Sequence, residues 1–112
     1  MSRALRITVV ALAAQLMAGA AFAQDAAAPD GKALFHEKCA MCHGPGGMGT
    51  GLLARRVQPA ELEKRDNLNA DYVFQYARRG LGNMPPIPPG EASDPQLRAI
   101  AAYLAAGPGG RK

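Results

Sequence analysis

Residues 39–43 read Cys-Ala-Met-Cys-His, and they hold both cysteines and one of the two histidines of a 112-residue chain. Two thiols three positions apart, with an imidazole at the next residue, suit four chemistries. These are a disulfide, a zinc site, a thioredoxin-like redox pair and the covalent attachment of a haem. The sequence on either side discriminates among them.

A disulfide between Cys39 and Cys42 would enclose only two residues, so it would remove little entropy from the unfolded chain. A structural zinc site takes four ligands. Besides the cysteines only His36 and His43 are available as imidazoles, and all four crowd into eight residues of one helix, where they cannot surround an ion. A thioredoxin-like pair needs a β-α-β frame, and no stretch of this chain alternates as a strand does. Haem attachment uses every part of the spacing. Thiols one turn apart can form thioethers with two vinyl groups of one macrocycle edge, and His43 then points to the iron.

Working outward, Asp30 is placed to cap a helix whose stripe Gly31, Phe35, Cys39, Cys42 follows one helical face, with Leu34 beside it. This helix is expected to carry residues 39–43 at its C-terminal end and to stop at Gly44-Pro45-Gly46-Gly47. Residues 44–68 read as a glycine-rich loop followed by a polar stretch, Glu61 to Asp66, with room for a short helix. Asn69 is a good N-cap for a helix over 70–79, with Val73, Tyr76 and Ala77 on one face. Arg78 and Arg79 match the dipole at its end, and Gly80 terminates it. A loop carrying Met84, Pro85, Pro86, Pro88 and Pro89 follows. The last helix is announced by a Ser93/Gln96 capping box, or by Asp94 capping with Pro95 next. Its stripe is Leu97, Ile100, Ala101 and Leu104. The fold class is all-α, three to four helices with long loops.

The N-terminus has a basic start at Arg3 and Arg6, an apolar stretch over 7–20 and an Ala21-Phe22-Ala23 exit, the pattern of a secretory signal spanning residues 1–23. The apolar run is short for a membrane span, and no later segment is long enough for one. The expected organisation is a signal at 1–23, a flexible leader at 24–29, a domain at 30–106 and a flexible tail at 107–112, in an exported, periplasmic protein. Cleavage would leave 89 residues in which eleven basic side chains face nine acidic ones, a net charge of +2. Without a dense basic stripe a nucleic-acid partner is not expected. A domain this small needs a staple for its core, and one haem would supply that apolar mass.

These residues resemble the class I c-type cytochromes over nearly all of 30–106. The resemblance is carried by Gly31 and Phe35, by Cys39-Ala40-Met41-Cys42-His43, by the 70–79 helix leading into Met84-Pro85, and by Tyr103 on the last helix. It implies a small cytochrome c fold wrapped around one covalent haem c, with Gly31, Phe35 and Tyr103 at a close crossing of the first and last helices. It implies axial ligation by His43 and Met84. Geometry agrees on Met84, since Met41 and Met48 are tethered too near His43 to reach the opposite haem face, and thioether opposite imidazole raises the potential. One departure stands out. The family's proline some nine to twelve residues after the haem histidine, whose carbonyl accepts the other ring N–H, is replaced here by about Gly51-Leu52, which leaves that partner open. Tryptophan, a propionate partner in the mitochondrial branch, is absent, and Arg55 and Arg56 can stand in or simply be solvated.

The implied function is one-electron transfer between a dehydrogenase or other redox donor and a downstream acceptor, with no catalytic residues. The Met84-Pro85-x-x-Pro88 loop is also similar to small cytochrome subunits of periplasmic flavocytochromes, which implies a flavin- or quinone-cofactor dehydrogenase as partner. The alternative is a haem enzyme or gas-binding sensor with a labile sixth ligand. With few lysines, the haem edge is expected to be framed by an apolar rim of Ala40, Met41 and residues 85–88.

Overall fold

A computed structural model describes residues 28–111; the expected signal at 1–23 lies outside them. Among the described residues the architecture is helical with no β-strand, and no helix is long and apolar enough to cross a membrane. Three helices carry it: α1 (Gly31–Lys38), α4 (Ala70–Arg79) and α5 (Asp94–Ala105). Short helical turns join them: α2 (Ala40–His43), α3 (Met48–Leu53), a 3₁₀ turn at Leu62–Lys64, and α6 (Gly107–Gly110).

The long helices start where local chemistry satisfies their first amides. Asp30 Oδ1 accepts from the N–H groups of Lys32 at 3.0 Å and Ala33 at 3.2 Å. Asn69 Oδ1 does the same for Asp71 at 2.9 Å and Tyr72 at 3.1 Å. At α5 the capping box is complete: Ser93 Oγ accepts from Gln96 N at 3.3 Å and Gln96 Oε1 from Ser93 N at 3.0 Å. Each such cap contributes about 1 kcal/mol.

The core is formed where α5 crosses α1 on one side and α4 on the other. Leu97, Ile100, Ala101 and Leu104 are all buried, as the stripe predicts, and they meet Phe35, Phe74, Ala77 and Ala92. Burying side chains such as Phe35, Leu97, Ile100 and Leu104 contributes roughly 1.5–3 kcal/mol each. Gly31 makes the α1–α5 crossing possible. A Cβ there would overlap the Ala99 carbonyl oxygen and stand 2.9 Å from Tyr103 Cβ. The rings of Phe35 and Tyr103 lie 6.1 Å apart across the crossing. Phe74 is flanked by the guanidinium groups of Arg98 at 4.2 Å and Arg78 at 5.6 Å, a cation–π arrangement that ties α4 to α5.

Four expectations are corrected. The first helix does not run through to His43: Cys39, at φ −121°, interrupts it, and its carbonyl starts a fresh turn. The glycine-rich stretch is not all loop, since Met48–Leu53 is helical. On α4 the buried positions are Phe74 and Ala77, with Val73 half-buried and Tyr76 exposed. Finally, residues 107–111 are not free of the domain. Gly107–Gly110 forms a helical turn, and Arg111 donates to the carbonyls of Tyr103 and Leu104, each at 3.2 Å, and of Glu63.

His36 is paired as well as solvated: its Nε2 lies 3.2 Å from Glu63 Oε1, which also accepts from the Tyr103 hydroxyl. Burial, reinforced by that bond to Glu63, pushes the Tyr103 phenol up to about 12.

Candidate functional site

Cys39, Cys42 and His43 share one turn. The Cys39 carbonyl accepts from Cys42 N at 3.1 Å and His43 N at 2.9 Å, so the thiols project one turn apart with the imidazole at the turn's end. Both cysteines are free, Cys39 half-buried and Cys42 exposed. Burial pushes the Cys39 thiol up to about 11; Lys38 opposes that shift and Cys42 adds to it. It is therefore a protonated thiol at neutral pH, not an activated thiolate of the kind a dithiol oxidoreductase uses. Among the described residues no three His, Cys, Asp or Glu side chains group together.

His43 is held by the segment that looked least structured in the sequence. Gly49 lies so close to the ring that a Cβ there would sit 3.1 Å from His43 Cε1 and 3.2 Å from Nδ1. Two glycines in a six-residue helix cost about 1 kcal/mol each in propensity, yet α3 forms. It is anchored by the Thr50 hydroxyl donating to Gly44 O at 2.8 Å. The consequence for the imidazole is partial burial, which lowers its pKa and keeps it neutral, the form that ligates metals. Nδ1 is buried with no hydrogen-bond partner among the described residues, so Nε2 is the nitrogen left to reach a ligand. Among the described residues no other acceptor stands at Nδ1 in place of the family's proline carbonyl.

Met84 lies on a different element, and its backbone bonds run to Leu81 rather than to the Cys39–His43 turn. Leu81 and Met84 exchange both bonds, Leu81 N to Met84 O at 3.1 Å and Met84 N to Leu81 O at 3.0 Å. Gly80 makes this turn possible: it has φ +78°, and a Cβ there would stand 2.7 Å from the Met84 carbonyl oxygen. Beyond Met84, Ile87 N donates to Ala77 O at 2.9 Å, returning the loop to α4. The Met84 side chain is half-buried against the core, whereas Met41 and Met48 are 88% and 68% exposed.

The sequence reading missed one residue in this region. Arg78, taken there as a charge matched to the helix dipole, donates through Nη1 to the carbonyls of Ile87 at 2.8 Å and Ala92 at 2.9 Å, and through Nη2 to Asp94. No sequence pattern marks this role, because two of its three acceptors are backbone carbonyls. Arg55 and Arg56 are exposed. The expected apolar rim is divided: Met41, Pro85, Pro86 and Pro88 are exposed, while Ala40 and Ile87 lean on the core.

The residues present fit a covalently held haem: two unpaired thiols on one turn, a neutral imidazole beside them with one nitrogen free to ligate, and a thioether on a fixed loop. Comparison with known proteins points the same way. No curated relative and no solved structure matches the chain. The family model described as cytochrome c oxidase, cbb3-type, subunit III matches residues 26–104. The chain therefore belongs to that family, and it is a c-type cytochrome, a haem-based electron-transfer domain.

Proposed function

We propose that this protein is an exported, periplasmic electron carrier holding one haem c through thioethers to Cys39 and Cys42, with His43 and Met84 as axial ligands. The observation that carries the reading is the turn closed by the Cys39 carbonyl, which sets two free thiols beside a half-buried, neutral imidazole. When bound, the haem supplies a one-electron Fe(II)/Fe(III) couple. The chain's own part is to hold ligands still. Cys39 and Cys42 would hold the haem by thioethers, His43 would offer Nε2, and the paired Leu81 and Met84 backbones would keep the Met84 thioether on a fixed turn. With His43 and Met84 both held to the iron, no position would be left for a substrate. The protein then acts as a carrier between a dehydrogenase or other donor and a downstream acceptor.

The test is chemical. Acidified-acetone extraction should leave the colour on the polypeptide, and mass spectrometry should show one added haem on a chain beginning near Gln24. Free haem in the extract would sink the proposal, and an intact N-terminus would sink the export reading. A haem enzyme or gas sensor would differ by lacking the red-end band of methionine-ligated ferric haem and by binding carbon monoxide at neutral pH when reduced.

The donor should dock on the exposed apolar residues Met41, Pro85, Pro86 and Pro88. Since Arg78 is engaged internally, of that arginine pair only Arg79 is left to steer a partner. Electron-transfer rates should change only modestly between low and physiological salt, and Met41→Glu should slow them. A rate falling steeply with salt and indifferent to Met41→Glu would place the charges, not the apolar rim, at the interface.

A further inference from the structure

We propose that Arg78 is a positioning residue for the iron's sixth ligand, a latch that sets how often Met84 leaves the metal. The inference rests on the reading of Met84 as that ligand. Its basis is the fork described above. One side chain from the last turn of α4 holds the Ile87 carbonyl, the Ala92 carbonyl and the Asp94 carboxylate, and it is only 16% exposed. These acceptors bracket the C-terminal half of the loop that carries Met84, just as the Leu81–Met84 pair and Gly80 fix its N-terminal half. Only one other bond described here ties the loop's far half back to α4, Ile87 N to Ala77 O. Without the guanidinium, the Ile87 and Ala92 carbonyls lose their charged donor, and the path from Pro85 to Asp94 is tied to α4 by one hydrogen bond instead of four.

For Met84 to leave the iron, this loop must swing away. A ligand from solution binds only the open form, so its apparent affinity is scaled by the fraction open. Hydrogen bonds to a charged group are strong enough that removing the fork should raise that fraction about ten- to a hundredfold. Arg78 cannot be replaced by lysine without loss, since a single ammonium cannot serve three acceptors in fork geometry.

The test is imidazole titration of the ferric holoprotein, followed by loss of the methionine–iron band, together with the reduction potential. Arg78→Met keeps the aliphatic stem. It should bind imidazole about ten- to a hundredfold more tightly than the wild type and show a lower potential; Arg78→Lys should fall between. Asp94→Asn, which weakens one arm only, should shift affinity in the same direction by a smaller factor, and it keeps the idea testable if Arg78→Met does not accumulate. Ile100→Val separates positioning from general stability: it loosens the core on α5 while leaving the Arg78 fork intact, and should leave imidazole affinity unchanged. Wild-type affinity in Arg78→Met, or in Asp94→Asn where it must serve alone, would overturn the latch. So would an equal rise in Ile100→Val. A wild-type protein without the methionine–iron band would instead overturn the ligand reading beneath it.

Discussion

Met84→Ala is expected to open the iron's sixth position, abolish the methionine–iron band and admit carbon monoxide to the reduced protein at neutral pH. The potential should fall by on the order of a hundred millivolts or more, within the roughly 0.8 V that axial ligation spans. The direction follows from the ligand: a thioether favours Fe(II) more than water or hydroxide does. Met84 also leans on the core, so truncation removes packing along with ligation. Met84→Leu separates the two, since an apolar side chain of similar volume keeps most of the packing and costs under about 1.5 kcal/mol. It should show the same spectral and potential changes with little loss of stability. Met48→Ala is the control, because Met48 is 68% exposed at the start of α3. If Met48→Ala opened the iron and Met84→Ala did not, the ligand assignment would be reversed.

Gly31→Ala should be among the most destabilising single-methyl additions in the described domain. The new Cβ would overlap the Ala99 carbonyl and press on Tyr103 Cβ at 2.9 Å, both belonging to the helix that forms the core. Neither obstacle is the free end of a flexible side chain, so α1 must move bodily away from α5. Overpacking of this kind costs about 1–3 kcal/mol, or roughly 5–20 °C in Tm for a domain of this size. Gly31→Val should exceed that and prevent accumulation of holoprotein. Gly90→Ala is the matched control: no atom lies within 4 Å of its Cβ position, and its effect should stay within about 0.5 kcal/mol. Equal melting temperatures for Gly31→Ala and Gly90→Ala would show that the helices do not cross where the structure puts them.

The caps and the apolar face of α5 were legible in the sequence because their physics is local. Asp30, Asn69 and the Ser93/Gln96 pair bond to amides two or three residues away, and a stripe at helical spacing has only one way to be buried. The same holds for residues 39–43, whose chemistry depends on spacing within a single turn. What lay beyond that range was not legible. No propensity makes a helix of Met48–Leu53 with two glycines inside it; the helix exists because Gly49 can lie against the His43 ring and Thr50 can bond back to Gly44. Likewise Arg78 reads as a surface charge until the chain returns nine residues later to offer the Ile87 carbonyl. Spacing along the chain determined where the thiols, the imidazole and the three long helices lie. Tertiary packing alone decided what covers one edge of the imidazole and what pins the methionine loop, because those contacts are made to backbone atoms that every residue carries and no sequence pattern can mark.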